Sequence, residues 1–108
     1  MIEKSYSFAG SESRLVEKII DDENVAINHV ILAQGDSVPE HYSNSNVYLI
    51  IISGTMSLKL GEQEVRPYRA GTIVQVPYNV KMNIRNDHLS LLEFFVVKAP
   101  SPRHFSAG

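Results

Sequence analysis

The sequence predicts an all-β protein, an antiparallel sandwich or barrel, on three observations. Short β-rich runs recur from Val25 to Val97, turn residues separate them at regular intervals, and no amphipathic run reaches ten residues with helical spacing. The first of these runs is Val25 to Leu32, where Val25, Ile27, His29 and Ile31 alternate with Ala26, Asn28, Val30 and Leu32, so both faces are largely apolar. Ahead of it, Arg14 to Ile20 followed by the turn cluster Asp21-Asp22-Glu23-Asn24 reads as the first arm of a hairpin. Gly35-Asp36-Ser37 and Pro39 then punctuate the chain. The remaining runs are Val47 to Ser53, Thr55 to Leu60, Gln63 to Pro67, Thr72 to Val76, Val80 to Arg85 and Leu89 to Val97. Breaks fall at Gly54, Gly61-Glu62, Ala70-Gly71, Pro77-Tyr78-Asn79 and Asn86-Asp87-His88. The expected organisation is an N-terminal arm or short strand over 1–13, a barrel over 14–98, and a mobile tail over 99–108 that begins at Ala99-Pro100-Ser101-Pro102.

Composition narrows the function classes. The 108 residues are 44% hydrophobic and 20% charged, enough for one folded core and too apolar for a disordered chain. A formal net charge of −2 with both signs scattered offers no footprint for a phosphate backbone, so nucleic acid is not an expected partner. With no cysteine there is no disulfide framework, thiolate metal site or cysteine nucleophile. The longest apolar run, Val47 to Ile52, is too short to span a bilayer, and Met1-Ile2-Glu3-Lys4-Ser5 has no apolar signal segment, which makes a soluble, cytoplasmic protein the expectation. No glycine-rich phosphate loop, nucleophile elbow or helical histidine pair occurs.

The middle of the chain carries a family resemblance. Gly35 is followed after five residues by His41, and Gly54 closes the stretch; further on, Gly71, Pro77 and Asn86 recur with Asn79 between them. This spacing resembles the two signatures of the cupin superfamily, which implies a jelly-roll barrel, or double-stranded β-helix. Gly54, Gly71 and Asn79 suit left-handed backbone in tight strand connections. In the family, two histidines and a glutamate of the first signature and a histidine of the second bind a divalent metal. The matching residues here are His41, Ser43, Val47 and Met82. A hydroxyl, an isopropyl group and a thioether do not replace imidazole and carboxylate for hard or borderline cations. The usual metal centre therefore reads as lost, and no cofactor is expected.

Three functions stay open on this reading. In the leading one, His41, Ser43, Val47 and Met82, rimmed by Tyr42 and Tyr78, bind a small organic ligand without metal. In the second the protein is an enzyme, an oxygenase or isomerase. It would use a divalent metal at a non-standard site of His41, Asn46 and His29, or metal-free acid–base chemistry between His41 and Glu93. Glu93 enters because Leu91, Glu93, Phe95 and Val97 share one face; should that face point inward, the carboxyl is desolvated. The alternative puts Glu93 at a rim or dimer contact, paired with an arginine such as Arg85. His29 reads more readily as a packed, singly hydrogen-bonded core histidine than as a ligand. In the third, the pocket is vestigial and the protein is a structural dimer. A homodimer is expected in any case, because Val47 to Ser53 and Leu89 to Val97 are apolar on both faces; an arm bearing Tyr6 and Phe8 is the competing cover.

Overall fold

In the computed structural model, which describes residues 2–105, nine strands form two antiparallel sheets. The strands are β1 (Leu15–Asp21), β2 (Ala26–Leu32), β3 (Ser37–Tyr42), β4 (Val47–Ser53), β5 (Thr55–Leu60), β6 (Arg66–Arg69), β7 (Ile73–Val76), β8 (Lys81–Arg85) and β9 (Leu92–Lys98). One sheet has the order β1-β2-β9-β4-β7 and the other β3-β8-β5-β6. The inner faces enclose a core of Val30, Leu32, Val47, Leu49, Ile51, Met56, Leu58, Val76, Met82, Ile84, Leu92 and Phe94. This is the expected jelly roll, and β4 and β5 match the expected runs at both ends.

The hairpin between β1 and β2 forms because Asp22 captures its own turn: its Oδ1 accepts from the backbone N–H groups of Asn24 (2.8 Å) and Val25 (3.0 Å). These two bonds hold the Asp22 carboxyl below the usual carboxylate range. At the expected left-handed positions, φ is +80° at Gly54, +88° at Gly71 and +64° at Asn79. Gly54 alone joins β4 to β5, passing the chain from one sheet to the other.

Several boundaries differ from the sequence expectation. Strand β3 occupies a stretch read as punctuation. Its pairing with β8 slips between Val38 and His41, so a bulge absorbs Pro39, and β3 lies at a sheet edge where a missing N–H is tolerated. The run expected over Gln63 to Pro67 is displaced to Arg66–Arg69, because a turn in which Gln63 N–H donates to Leu60 O (3.0 Å) occupies its start. Pro67 again sits on an edge strand. Strand β9 begins at Leu92 rather than Leu89. Buried Asn86 donates to Leu32 O and Ser90 O (both 2.9 Å) and accepts from His88 N–H (2.9 Å), which locks the preceding residues into a turn.

The C-terminal stretch, expected to be mobile, is docked as far as it is described; residues 106–108 lie outside the described residues. Ser101 is fully buried and its N–H donates to Asn24 O, a short 3-10 turn follows at Pro102–His104, and His104 Nε2–H donates to Glu23 O (2.6 Å). His104 is exposed yet tethered.

Candidate functional site

Strand alternation decides which side chains face the interior. On β2 the inward residues are Asn28 and Val30, and on β9 they are Phe94, Val96 and Lys98. Val16 of β1 and the preceding Arg14 join them from one side; Val38, Pro39 and His41 of β3, with Met82 and Ile84 of β8, close the other. Together they line a cavity of about 160 Å³ between the two sheets. His41 and Met82 stand opposite each other in the β3–β8 ladder. The mouth lies between β1 and β3, each the edge strand of its own sheet. Val16 is accordingly 56% exposed although it lines the cavity, and Arg14 Nη1 spans the gap by donating to Ser37 O (3.0 Å).

The polar groups of this cavity are few and of one sign. His41 Nδ1–H donates to Pro39 O (2.9 Å), which fixes the tautomer and leaves Nε2 as an acceptor. Lys98 is partly buried, and no hydrogen bond or ion pair reaches its ammonium among the described residues. Burial pushes its pKa down, the nearby charge of Lys18 adds to that shift, and Asp21 opposes it. Among the described residues no acidic side chain lines this cavity, while Asp21 lines the adjoining cleft with Asn28 and Lys98.

The sequence-derived residues are dispersed over the molecule. His41 and Met82 line the cavity. Val47 does not: it is fully buried in the core. Ser43 is buried as a loop clasp, its hydroxyl donating to Pro77 O (2.6 Å) and accepting from Val80 N–H (2.8 Å). Tyr42 and Tyr78 line a separate open surface cleft with Ser43 and Phe105, where the Tyr78 and Phe105 rings stack at 4.4 Å. They do not rim the barrel cavity. Asn46 is not among the cavity-lining residues; its backbone carbonyl accepts from Ala99 N–H (3.1 Å).

The largest correction concerns His29 and Glu93. Both belong to the parity of β2 and β9 that faces away from the interior, so neither meets His41. Instead the His29 ring, fully buried, lies between two carboxylates, with Nδ1 2.7 Å from Glu17 Oε1 and Nε2 2.7 Å from Glu93 Oε2. Glu93 thus pairs with His29 rather than with Arg85, and His29 makes two hydrogen bonds rather than one. Each ring nitrogen is within hydrogen-bond distance of one carboxylate oxygen. The rings of Phe8 and Phe95 each stand 4.9 Å from the imidazole, and Ala9 N–H donates to Glu17 Oε1 (3.1 Å). The bond from His29, followed by that from Ala9, holds the Glu17 carboxyl below its usual range. This cluster pins the N-terminal arm to the outer face of the sheet. The structure thus brings together neither His41, Asn46 and His29 nor His41 and Glu93.

Arg14, Asn28 and Lys98 went unnoticed in the sequence. The available signal was the parity of β9, where Lys98 falls in step with Phe94 and Val96.

The chain belongs to the cupin family, as its fold and a relative of 52% identity show. No family model matches the sequence. It is 52% identical over 108 residues to the uncharacterized protein MJ0764 of Methanocaldococcus jannaschii, an alignment covering 99% of this chain and 93% of that one. The crystal structure of that RmlC-like cupin family protein, with a double-stranded β-helix fold, superposes with a TM-score of 0.95 over 99% of both chains. A cupin superfamily protein of Desulfitobacterium hafniense (TM-score 0.73, 15% identity, 86% of this chain and 83% of that one) shares the fold. So does the cupin domain of Schizosaccharomyces pombe Cnp3 (TM-score 0.75, 15% identity, 91% and 72%).

The residues at the family's metal positions do not fit a metal ion. Val47 has no donor and is sealed in the core, the Ser43 hydroxyl is spent on two backbone groups, and Met82 offers only a thioether beside His41. Among the described residues no group of three or more His, Asp or Glu side chains converges as a metal ion would require. No helix among them is long and apolar enough to cross a membrane.

Proposed function

We propose that the barrel binds a small organic molecule in the cavity between β1, β2, β9 and the β3–β8 pair, without a metal ion. The observation that carries this reading is the lining itself: Val30, Val38, Met82, Ile84, Phe94 and Val96 form an apolar wall around a volume of about 160 Å³. A cavity of about 150 Å³ with such walls accommodates benzene, so the expected ligand has a body of about six to ten non-hydrogen atoms. The test uses a neutral probe, benzyl alcohol, followed by calorimetry and by chemical-shift changes at the methyls of Val30, Ile84 and Met82. Saturable binding with shifts confined to these residues supports the reading; no saturable binding up to 10-millimolar-order concentrations (~10⁻² M, about 2.7 kcal/mol) refutes it.

The same chain is proposed to form a two-fold dimer through the outer face of β4 and β7. The arm covers the face beside His29 and Phe95, but Ile52 and Ile73 beyond it remain 49% and 63% exposed, with Tyr48 and Ile50 beside them. An apolar stripe of this kind on a sheet face suits a self-complementary contact. Light scattering of the wild type and Ile73→Glu tests it: a dimer converted to a monomer supports the proposal, and a monomeric wild type refutes it.

A further inference from the structure

The cavity is apolar in its body and cationic at its ends. Along the β1–β2–β9 ladder, Leu15 pairs with Ile31 and Ala26 with Lys98, so Arg14 and Lys98 stand at opposite ends of the inner face that the cavity follows. Lys18 pairs with Asn28, within reach of the Lys98 end. Among the described residues no carboxylate lines the cavity itself, in a chain whose formal net charge is −2; the nearest, Asp21, pairs with Ala26 next to Lys98 and lines the adjoining cleft. The acidic residues nearby are engaged elsewhere: Asp21 with Arg103 (3.6 Å), and Glu17 and Glu93 with His29 on the opposite side of the sheet. Charge of one sign in a concave, low-dielectric space focuses the field there. A partly buried ammonium whose nearest carboxylate, Asp21, is shared with Arg103 is incompletely neutralised, and a ligand that completes its pairing recovers part of its desolvation cost.

Resting on the reading that the cavity binds a small organic molecule, we propose that it selects organic anions. The preferred ligand is a monocarboxylate with a compact apolar body, whose carboxylate pairs with Lys98 while the body packs against Met82, Ile84 and Phe94. Burial lowers the pKa of Lys98, which accords with an amine whose partner arrives with the ligand. Arg14 is held by Ser37 O and lies at the mouth, where it draws the anion in. His41 Nε2, an acceptor, is available to a ligand hydroxyl.

The experiment compares three probes of one shape by calorimetry: benzoate, benzamide and benzyl alcohol. Benzoate is expected to bind at least tenfold more tightly than benzamide, with an affinity that falls as salt rises. In Lys98→Met, which keeps the aliphatic stem, the ratio of benzoate to benzamide affinity falls to near one; in Lys98→Arg, which keeps the charge, the preference persists. The wild-type comparison needs no variant and so survives any folding defect. Benzamide or benzyl alcohol binding as tightly as benzoate would overturn the anion inference and leave the cavity reading standing. Failure of all three probes would overturn both. Equal competition by inorganic phosphate would overturn the claim that the apolar body is recognised.

Discussion

Gly54 offers the sharpest test of the fold, because Gly71 supplies its own control. Both have positive φ, +80° and +88°, but a Cβ built on Gly54 falls 2.2 Å from Leu91 O and 3.0 Å from Leu91 C and Leu92 Cα, whereas one on Gly71 meets nothing within 4 Å. Gly71→Ala therefore carries only the left-handed penalty of about 1–2 kcal/mol, offset by up to about 1 kcal/mol from a stiffer unfolded chain. Gly54→Ala carries the same terms and in addition forces the backbone at the start of β9 to move by roughly an ångström, an overpacking cost of about 1–3 kcal/mol. The expected totals are about 1 kcal/mol for Gly71→Ala and about 2–4 kcal/mol for Gly54→Ala. Urea unfolding followed by circular dichroism reads both, with equal m-values as the check that the same surface is exposed. Equal losses for the two variants would refute the claim that β4 and β5 are joined against the β9 backbone.

Three further outcomes follow from the polar groups. Asn86→Leu removes the partner of Leu32 O, Ser90 O and His88 N–H, and should lower stability by about 3 kcal/mol, with faster amide exchange at His88 as the local signature. The lowered pKa of Glu17 means that its stabilisation is complete above the ordinary carboxylate range and is lost as pH falls through the lowered folded value. The difference in Tm between the wild type and Glu17→Gln should then close between about pH 5 and 3, whereas a constant difference would count against the His29–Glu17 bond. Lys98 has the opposite sign: its lowered pKa is a penalty present while the amine is protonated and relieved as pH rises. Lys98→Met should therefore raise the Tm of the ligand-free protein at neutral pH by about 4 °C, the low end for 1 kcal/mol in a domain of this size because water partly screens the amine. That gain should shrink in alkaline buffer.

Much of the architecture was legible in the residues, and what was not has a physical reason. Runs bounded by Gly54 and Gly61 resolved β4 and β5 because a residue with positive φ ends a strand cleanly. Strand β3 was hidden because Pro39 and Glu40 sit in a bulge on an edge strand, where the usual penalty on proline lapses. The parity of β9 was ambiguous, since Leu92, Phe94 and Val96 are as apolar as Phe95 and Val97. One face meets the core while the other meets the arm and the exposed outer sheet. That ambiguity sent Glu93 to the wrong side in the acid–base alternative and hid Lys98, which looks like the polar end of a strand. His41 and Met82 were found through motif spacing, because a motif records position in the fold rather than hydrophobic periodicity.

The one-residue link at Gly54 also bears on where the cavity opens. With β4 and β5 stitched together by one residue, and β2 and β3 by the four residues 33–36, the two sheets are tied at both of these crossings, whereas the β1 and β3 edges are joined by no direct link of chain. Between those edges the Arg14 guanidinium, just before β1, reaches the Ser37 carbonyl at the start of β3. For the ligand proposed above, that gap beside Arg14 is the expected path in and out.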